Sequence, residues 1–253
     1  MSKRKRNNHK KNKNNNGQVY REGELFDRKK FHIHDIVSVC HRSSAQLEVF
    51  RSFSEGQHLV LKGAAGTGKT FVAMYLGLME VLDPDVDVDK LIIVRSNVPT
   101  RDLGHLPGEL EDKMGIYEDP YRQICDELFK YSKSYDNMKT AGYIKFLSTS
   151  YLRGLTFNNA IVIVDEFENC NSHELDSIIT RLGKNSRIIF SGDFAQTDFT
   201  RSSEKNSTGK WLDIIKRVES FDIHDFSVED IVRSGVVKEY LIAKYDSGVI
   251  LYC

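Results

Sequence analysis

Cysteine is scarce and scattered. The 253-residue chain has four, Cys40, Cys125, Cys170 and Cys253, and no two form a CxxC pair. A zinc site on paired cysteines and a dithiol redox motif are therefore not indicated. Long apolar runs are missing too. None approaches the roughly 18 residues that span a bilayer, so no membrane segment is expected. The N-terminus is basic and Asn-rich, but no apolar stretch follows it, and a secretory leader is not expected. No internal repeat and no second globular domain show. Together these absences give the expectation of a soluble protein of a reducing cytoplasm.

A net charge is also lacking, since 36 Lys and Arg balance 36 Asp and Glu. The balance hides an uneven spread. Residues 1–16 hold seven bases (Lys3, Arg4, Lys5, Arg6, Lys10, Lys11, Lys13) and no acid, which leaves 29 bases against 36 acids, a net of −7, in the rest. Residues 1–17 have little to bury and are expected to form a disordered basic tail. Such a tail would engage nucleic-acid phosphates, or serve only as a solvated extension. Residues 18–253 are expected to form one domain, because an apolar content of 40% suffices for a core.

What is present is an α/β rhythm. Strands are expected at 58–62, 91–94, 143–147, 160–164, 187–191 and 221–226. Helices are expected at 44–51 with Leu47 and Phe50 inward, then at 68–82, 117–130, 172–182, 208–218 and 235–245. Ser172 is the expected N-cap of its helix. Short apolar runs alternating with helices predict a parallel sheet with right-handed crossovers, flanked by helices.

Gly63-Ala64-Ala65-Gly66-Thr67-Gly68-Lys69-Thr70 satisfies G-x-x-x-x-G-K-[ST] between a strand and a helix. Glycines let such a loop turn its N–H groups onto phosphate oxygens at a helix N-terminus. Lys69 is expected at the β- and γ-phosphates of ATP, and Thr70 at Mg²⁺. Phe71 continues the helix start and is counted with the loop. Ile161-Val162-Ile163-Val164-Asp165-Glu166 ends a buried strand in two acids, where doubly wound sheets hold ligands. Asp165 is expected at Mg²⁺, and Glu166 to orient or deprotonate the attacking water. Gly192-Asp193-Phe194-Ala195-Gln196 ends another strand, with Gln196 sensing the γ-phosphate or positioning water and Asp193 supporting Glu166 or the metal.

At this point the chain resembles the PhoH-type ATPases, a phosphate-starvation-inducible group related to superfamily 1 helicases. The resemblance runs from about Ser43 to Tyr245. Beyond the loop and the Asp-Glu pair, it rests on Leu103-Gly104-His105-Leu106-Pro107-Gly108-Glu109 and Tyr151-Leu152-Arg153-Gly154-Leu155-Thr156-Phe157. The remaining pieces are Asp165-Glu166-Phe167-Glu168-Asn169, Gly192-Asp193-Phe194-Ala195-Gln196-Thr197-Asp198 and Asp230-Ile231-Val232-Arg233-Ser234. It implies a single RecA-like P-loop NTPase core and a homo-oligomer, with a hexameric ring among the forms. Arg233 matches an arginine that acts as a finger in trans, and Arg201 is a second candidate. Gln46 stands where related ATPases place an adenine-reading glutamine, though a solvated helix glutamine is the plainer reading. In one departure, Glu168 stands where the family typically has glutamine.

A single-stranded RNA or DNA partner would use Arg95, Arg101, Arg153 and the tail, with Tyr151 and Phe157 stacking on bases. The plainer reading makes both rings core residues. Two other function classes stay open: a P-loop kinase acting on a small molecule, and a non-catalytic nucleotide switch. Glu166 and residues 192–196 suit water activation better than a kinase acceptor site. An Asn-Lys-x-Asp guanine motif is absent, which disfavours a GTPase.

Overall fold

The computed structural model describes residues 11–13, 19–21, 31–96, 110–193 and 202–247. The chain divides into two compact units, Met1–Phe31 and His32–Cys253. In the first, β1 (Lys11–Lys13) pairs antiparallel with β2 (Val19–Arg21), Lys11 opposite Arg21. Strand geometry thus appears at Lys11–Lys13, inside the stretch read as a tail.

The second unit is built on β3 (His58–Gly63), β4 (Lys90–Arg95), β5 (Ile144–Ser148), β6 (Ala160–Asp165), β7 (Ser186–Gly192) and β8 (Phe221–Phe226). They form one sheet in the order β5-β4-β6-β7-β3-β8, and every ladder is parallel. The helices are α1 (Ser44–Ser54), α2 (Lys69–Val81), α3 (Leu110–Phe129), α4 (Ser134–Thr140), α5 (Ser172–Ile179), α6 (Ser202–Ile215) and α7 (Gly235–Asp246).

β6 shows why the sheet is parallel and central. All six of its residues are buried, and its β-branched run suits a strand covered on both faces. Val162 and Val164 pack into a core with Phe167, Phe190, Trp211 and Ile215. Ile161 meets α2 on the other face, close to Gly77. A Cβ on Gly77 would lie 2.6 Å from Leu91 Cδ1, so glycine there lets α2 lie close against the sheet. Each fully buried Val, Leu or Ile side chain contributes about 1.5–3 kcal/mol. The sheet is therefore a rigid platform for whatever projects from its C-terminal edge.

Register aligns that edge. Ser148, Arg95, Asp165, Ser191 and Leu61 are consecutive partners across β5, β4, β6, β7 and β3. One strand, β7, separates the strand feeding the phosphate-type loop from the strand ending in Asp165.

Local details differ from expectation where tertiary packing outweighs pattern. Leu47 is exposed; α1 buries Val49 and Phe53 instead, with Phe50 half-buried beside the Tyr75 ring. α5 is capped by Asn171, not Ser172: the Asn171 side chain accepts from the Glu174 N–H, and the Glu174 carboxylate accepts from the Asn171 N–H. α3 begins earlier than expected and runs through Pro120. α4 is additional to the expected helices; it packs on α3 through Tyr135, whose hydroxyl donates to Glu118 Oε2 at 2.7 Å. Among the described residues, no helix is long and apolar enough to cross a membrane.

Candidate nucleotide site

The loop between β3 and α2 lies at the C-terminal edge of the sheet. Gly63 has φ +124°, and a Cβ there would run into the Phe226 backbone of β8. Only glycine meets both conditions. The loop is tied down from three sides. The Ala64 N–H donates to the Phe226 carbonyl at 2.9 Å, and the Val232 N–H to the Gly66 carbonyl at 3.1 Å. The Gln46 amide donates to the Thr67 carbonyl at 2.9 Å, while its oxygen accepts from the Arg42 N–H at 2.8 Å. Gln46 therefore spends its amide on the loop and on its own helix start. It is buried, unlike a solvated helix glutamine.

Lys69 opens α2 and folds back over the loop. Its ammonium donates to the carbonyls of Gly63 at 2.9 Å and Ala64 at 2.8 Å. Burial pushes the Lys69 ammonium down from its ordinary range, against the pull of Asp193, Glu168 and Asp165. The next residue, Thr70, donates its hydroxyl to Asp165 Oδ1 at 2.9 Å and lies 3.3 Å from the Ser191 hydroxyl. The sheet order explains this meeting: β7 brings Ser191 between β3 and β6.

The second oxygen of Asp165 accepts from the Tyr121 hydroxyl of α3 at 2.9 Å. Tyr121 is fully buried, and its phenol is pushed well above the usual range, first by burial and then by Asp165. Glu166 has φ +51° and turns the chain immediately after β6. Its carboxylate is gripped at both oxygens by Arg95 of β4. Phe167 drops into the core and anchors this turn against Phe190 and Trp211. Glu168 is buried beside Gly192, and burial raises its carboxyl well above the usual range.

The structure thus brings residues 63–70, Asp165, Glu166 and Gln46 together. Asp193 is buried at the same edge. The Arg233 stem lies over its own chain's loop, its Cγ 3.1 Å from where a Gly66 Cβ would be. Arg233, which the resemblance assigns to a neighbouring subunit's site, stands here beside its own. Arg95, read as a residue for a nucleic acid, stands at this site paired with Glu166. Phe157 is core, whereas Tyr151 and Arg153 are exposed. Gln196, Arg201, Arg101 and residues 103–109 lie outside the described residues. Sequence reasoning missed Tyr121 and the pairing role of Arg95. The four-residue spacing of Tyr117 and Tyr121 on one helix was the available signal.

The oxygens of Thr70 and Asp165 form a pair of hard donors of the kind Mg²⁺ takes, and the loop N–H groups with Lys69 suit a polyphosphate.

The model of the family described as PhoH-like protein matches residues 38–246. A PhoH-like protein of Synechocystis sp. is 35% identical over 185 residues, 72% of this chain and 54% of that protein. Protein PhoH of Escherichia coli strain K12 is 30% identical over 211 residues, 83% of this chain and 59% of that protein. The chain spans a little over half the length of these curated relatives. Among solved structures, the large terminase from a thermophilic bacteriophage shares the fold, with a TM-score of 0.51 at 11% identity. That match covers 80% of this chain and 50% of the terminase chain. A P-loop NTPase fold with its loop, its strand-end acids and most of its length inside one family model leads to one conclusion: the chain belongs to the PhoH family.

Proposed function

We propose that the protein is a Mg²⁺-dependent ATPase of PhoH type, linked to a single-stranded nucleic acid and working as a homo-oligomer. One observation carries this reading: the Thr70 hydroxyl and Asp165 Oδ1 lie 2.9 Å apart beside Lys69, at the edge where Glu166 emerges. The loop N–H groups and Lys69 hold the β- and γ-phosphates, and Lys69 trades its loop carbonyls for phosphate oxygens. Thr70 and Asp165 are the residues that would hold Mg²⁺. Bound there, the ion would supply charge neutralisation for the phosphoryl group in transfer. Glu166 orients or deprotonates the attacking water. Gln196 senses the γ-phosphate. Arg233 and Arg201 are the arginines proposed to stabilise transition-state charge. The nucleic-acid link is supported by the family relationship and by the basic N-terminal residues.

The test is ATP turnover of the wild type and of Glu166→Gln, each with and without single-stranded RNA and DNA. Turnover that rises with a strand and collapses in the variant is the expected result. Turnover indifferent to any strand would remove the nucleic-acid link. No turnover at all would leave a nucleotide-binding switch.

A further inference from the structure

Asp165, the last residue of β6, and Glu166, which follows it, are held by different elements. Asp165 meets Thr70 of α2, at the start of the helix that follows the loop. Glu166 is drawn toward β4, which lies on the side of β6 opposite β7 and β3. There Arg95 Nε donates to Oε2 at 3.0 Å, and a second guanidinium nitrogen donates to Oε1. The Arg95 side chain is 17% exposed against 41% for Glu166, so the arginine is the more fixed partner. It is fixed from two directions. Its backbone is in register with Asp165, and its guanidinium carbon lies 5.5 Å from the centre of the Tyr117 ring. Tyr117 stands one turn before Tyr121, which holds Asp165. α3 therefore touches both acids, one directly and one through Arg95.

We propose that Arg95 is a positioning residue that restrains Glu166, and that ATP turnover requires this ion pair to open. The proposal rests on Glu166 being the water-orienting carboxylate. A forked guanidinium–carboxylate pair fixes the direction and plane of the carboxylate as well as its charge. A general base must come within hydrogen-bond reach of its water, and that water lies at the phosphate end of the loop. A carboxylate held through Arg95 to β4 must leave that pair to take up the water. The pair is part-exposed, so the restraint is modest, and it scales turnover by the fraction of time that Glu166 is free.

The experiment is steady-state ATP hydrolysis by the full chain as wild type, Arg95→Gln, Arg95→Lys, Glu166→Gln and the Arg95→Gln/Glu166→Gln double variant. It is joined to thermal unfolding of the same proteins without nucleotide. The expected result is a kcat about 3- to 10-fold higher in Arg95→Gln with KM within twofold, a smaller rise in Arg95→Lys, and no turnover with Glu166→Gln in either background. The double variant should unfold at a temperature above the sum of the two single shifts, because each single removes the same pair. A kcat that falls or stays level in Arg95→Gln, while wild-type turnover depends on Glu166, overturns the restraint and leaves the ATPase reading intact. Additive thermal shifts overturn the pair itself. Absence of turnover in all five proteins overturns both readings, whereas turnover that appears only on removal of Arg95 supports both.

Discussion

Tyr121 donates its hydroxyl to Asp165 Oδ2 at 2.9 Å from a fully buried position on α3. A hydrogen bond to a charged group contributes about 1.5–3 kcal/mol. Tyr121→Phe keeps the ring and deletes only that donor, leaving Asp165 held by Thr70. The variant should lose stability of that order in urea unfolding. Its half-saturating Mg²⁺ concentration for turnover should rise several-fold. Wild-type values in both measurements would show that Asp165 is positioned without Tyr121.

Lys69 is a cation buried at a cost. Its folded pKa is lowered by burial, so the unfolded chain binds the proton more tightly, and stability should rise as pH climbs from the folded value toward 10.5. Below that window the cost is present in full. Lys69→Met should therefore leave the melting temperature near pH 7 unchanged or higher, while calorimetric titration shows ATP affinity at least about tenfold weaker. A melting temperature lowered by more than about 5 °C would mean that the bonds to Gly63 and Ala64 hold the loop together.

Glu168 runs in the opposite sense. Burial raises its folded pKa above the usual 4.5. The folded state then holds the proton that the unfolded state releases, so the stability it contributes is present below pH 4.5 and is lost as pH rises through the folded value. Glu168→Gln supplies a neutral side chain of the same shape. The variant should be more stable than wild type at pH 8, and the gap should shrink at pH 5. An equal gap at both pH values would show that the Glu168 carboxyl is not held protonated by the fold.

The cysteines should sort by burial. Cys40 is exposed, while Cys125 and Cys170 are buried. Burial, with Asp126 adding to it, pushes the Cys125 thiol up to about 12, and burial raises the Cys170 thiol as well. Thiolate is the reactive form, so native protein should release one equivalent with a chromogenic disulfide reagent, and all three after unfolding. A Cys253→Ser background keeps the fourth thiol out of the count. Rapid reaction of a second thiol in the native protein would contradict the packing around α3 and β6.

The sheet and the gathering of most candidate site residues at its edge were legible because their signals are local. The run from Ala160 to Asp165 is apolar enough to announce a buried strand, and Lys69 and Thr70 sit in a motif whose geometry follows from its glycines. What stayed hidden depends on contacts between distant segments. Tyr121 reaches Asp165 from a helix whose start is obscured by Gly115 and Pro120. Arg95 reads as a surface cation until β4 is placed beside β6. Gln46 reads as a nucleotide contact or a solvated side chain, and only α1 laid against the loop shows that it is buried with its amide on Thr67. Leu47 has the spacing of a core residue, yet the rotation of α1 puts Val49 and Phe53 inward. In each case, sequence spacing specified an element and the packing of that element decided which face mattered.

Trp211 is the only tryptophan in the chain, and it is almost completely buried. Its ring lies 4.7 Å from Phe190 and 5.9 Å from Phe167, the residue that follows Glu166 and pins its turn into the core. The indole emission of the unmodified protein therefore arises from a single place, directly beneath the Asp165–Glu166 corner. A rearrangement of that corner shifts the surroundings of the chain's single indole, so the molecule carries its own optical gauge of the site.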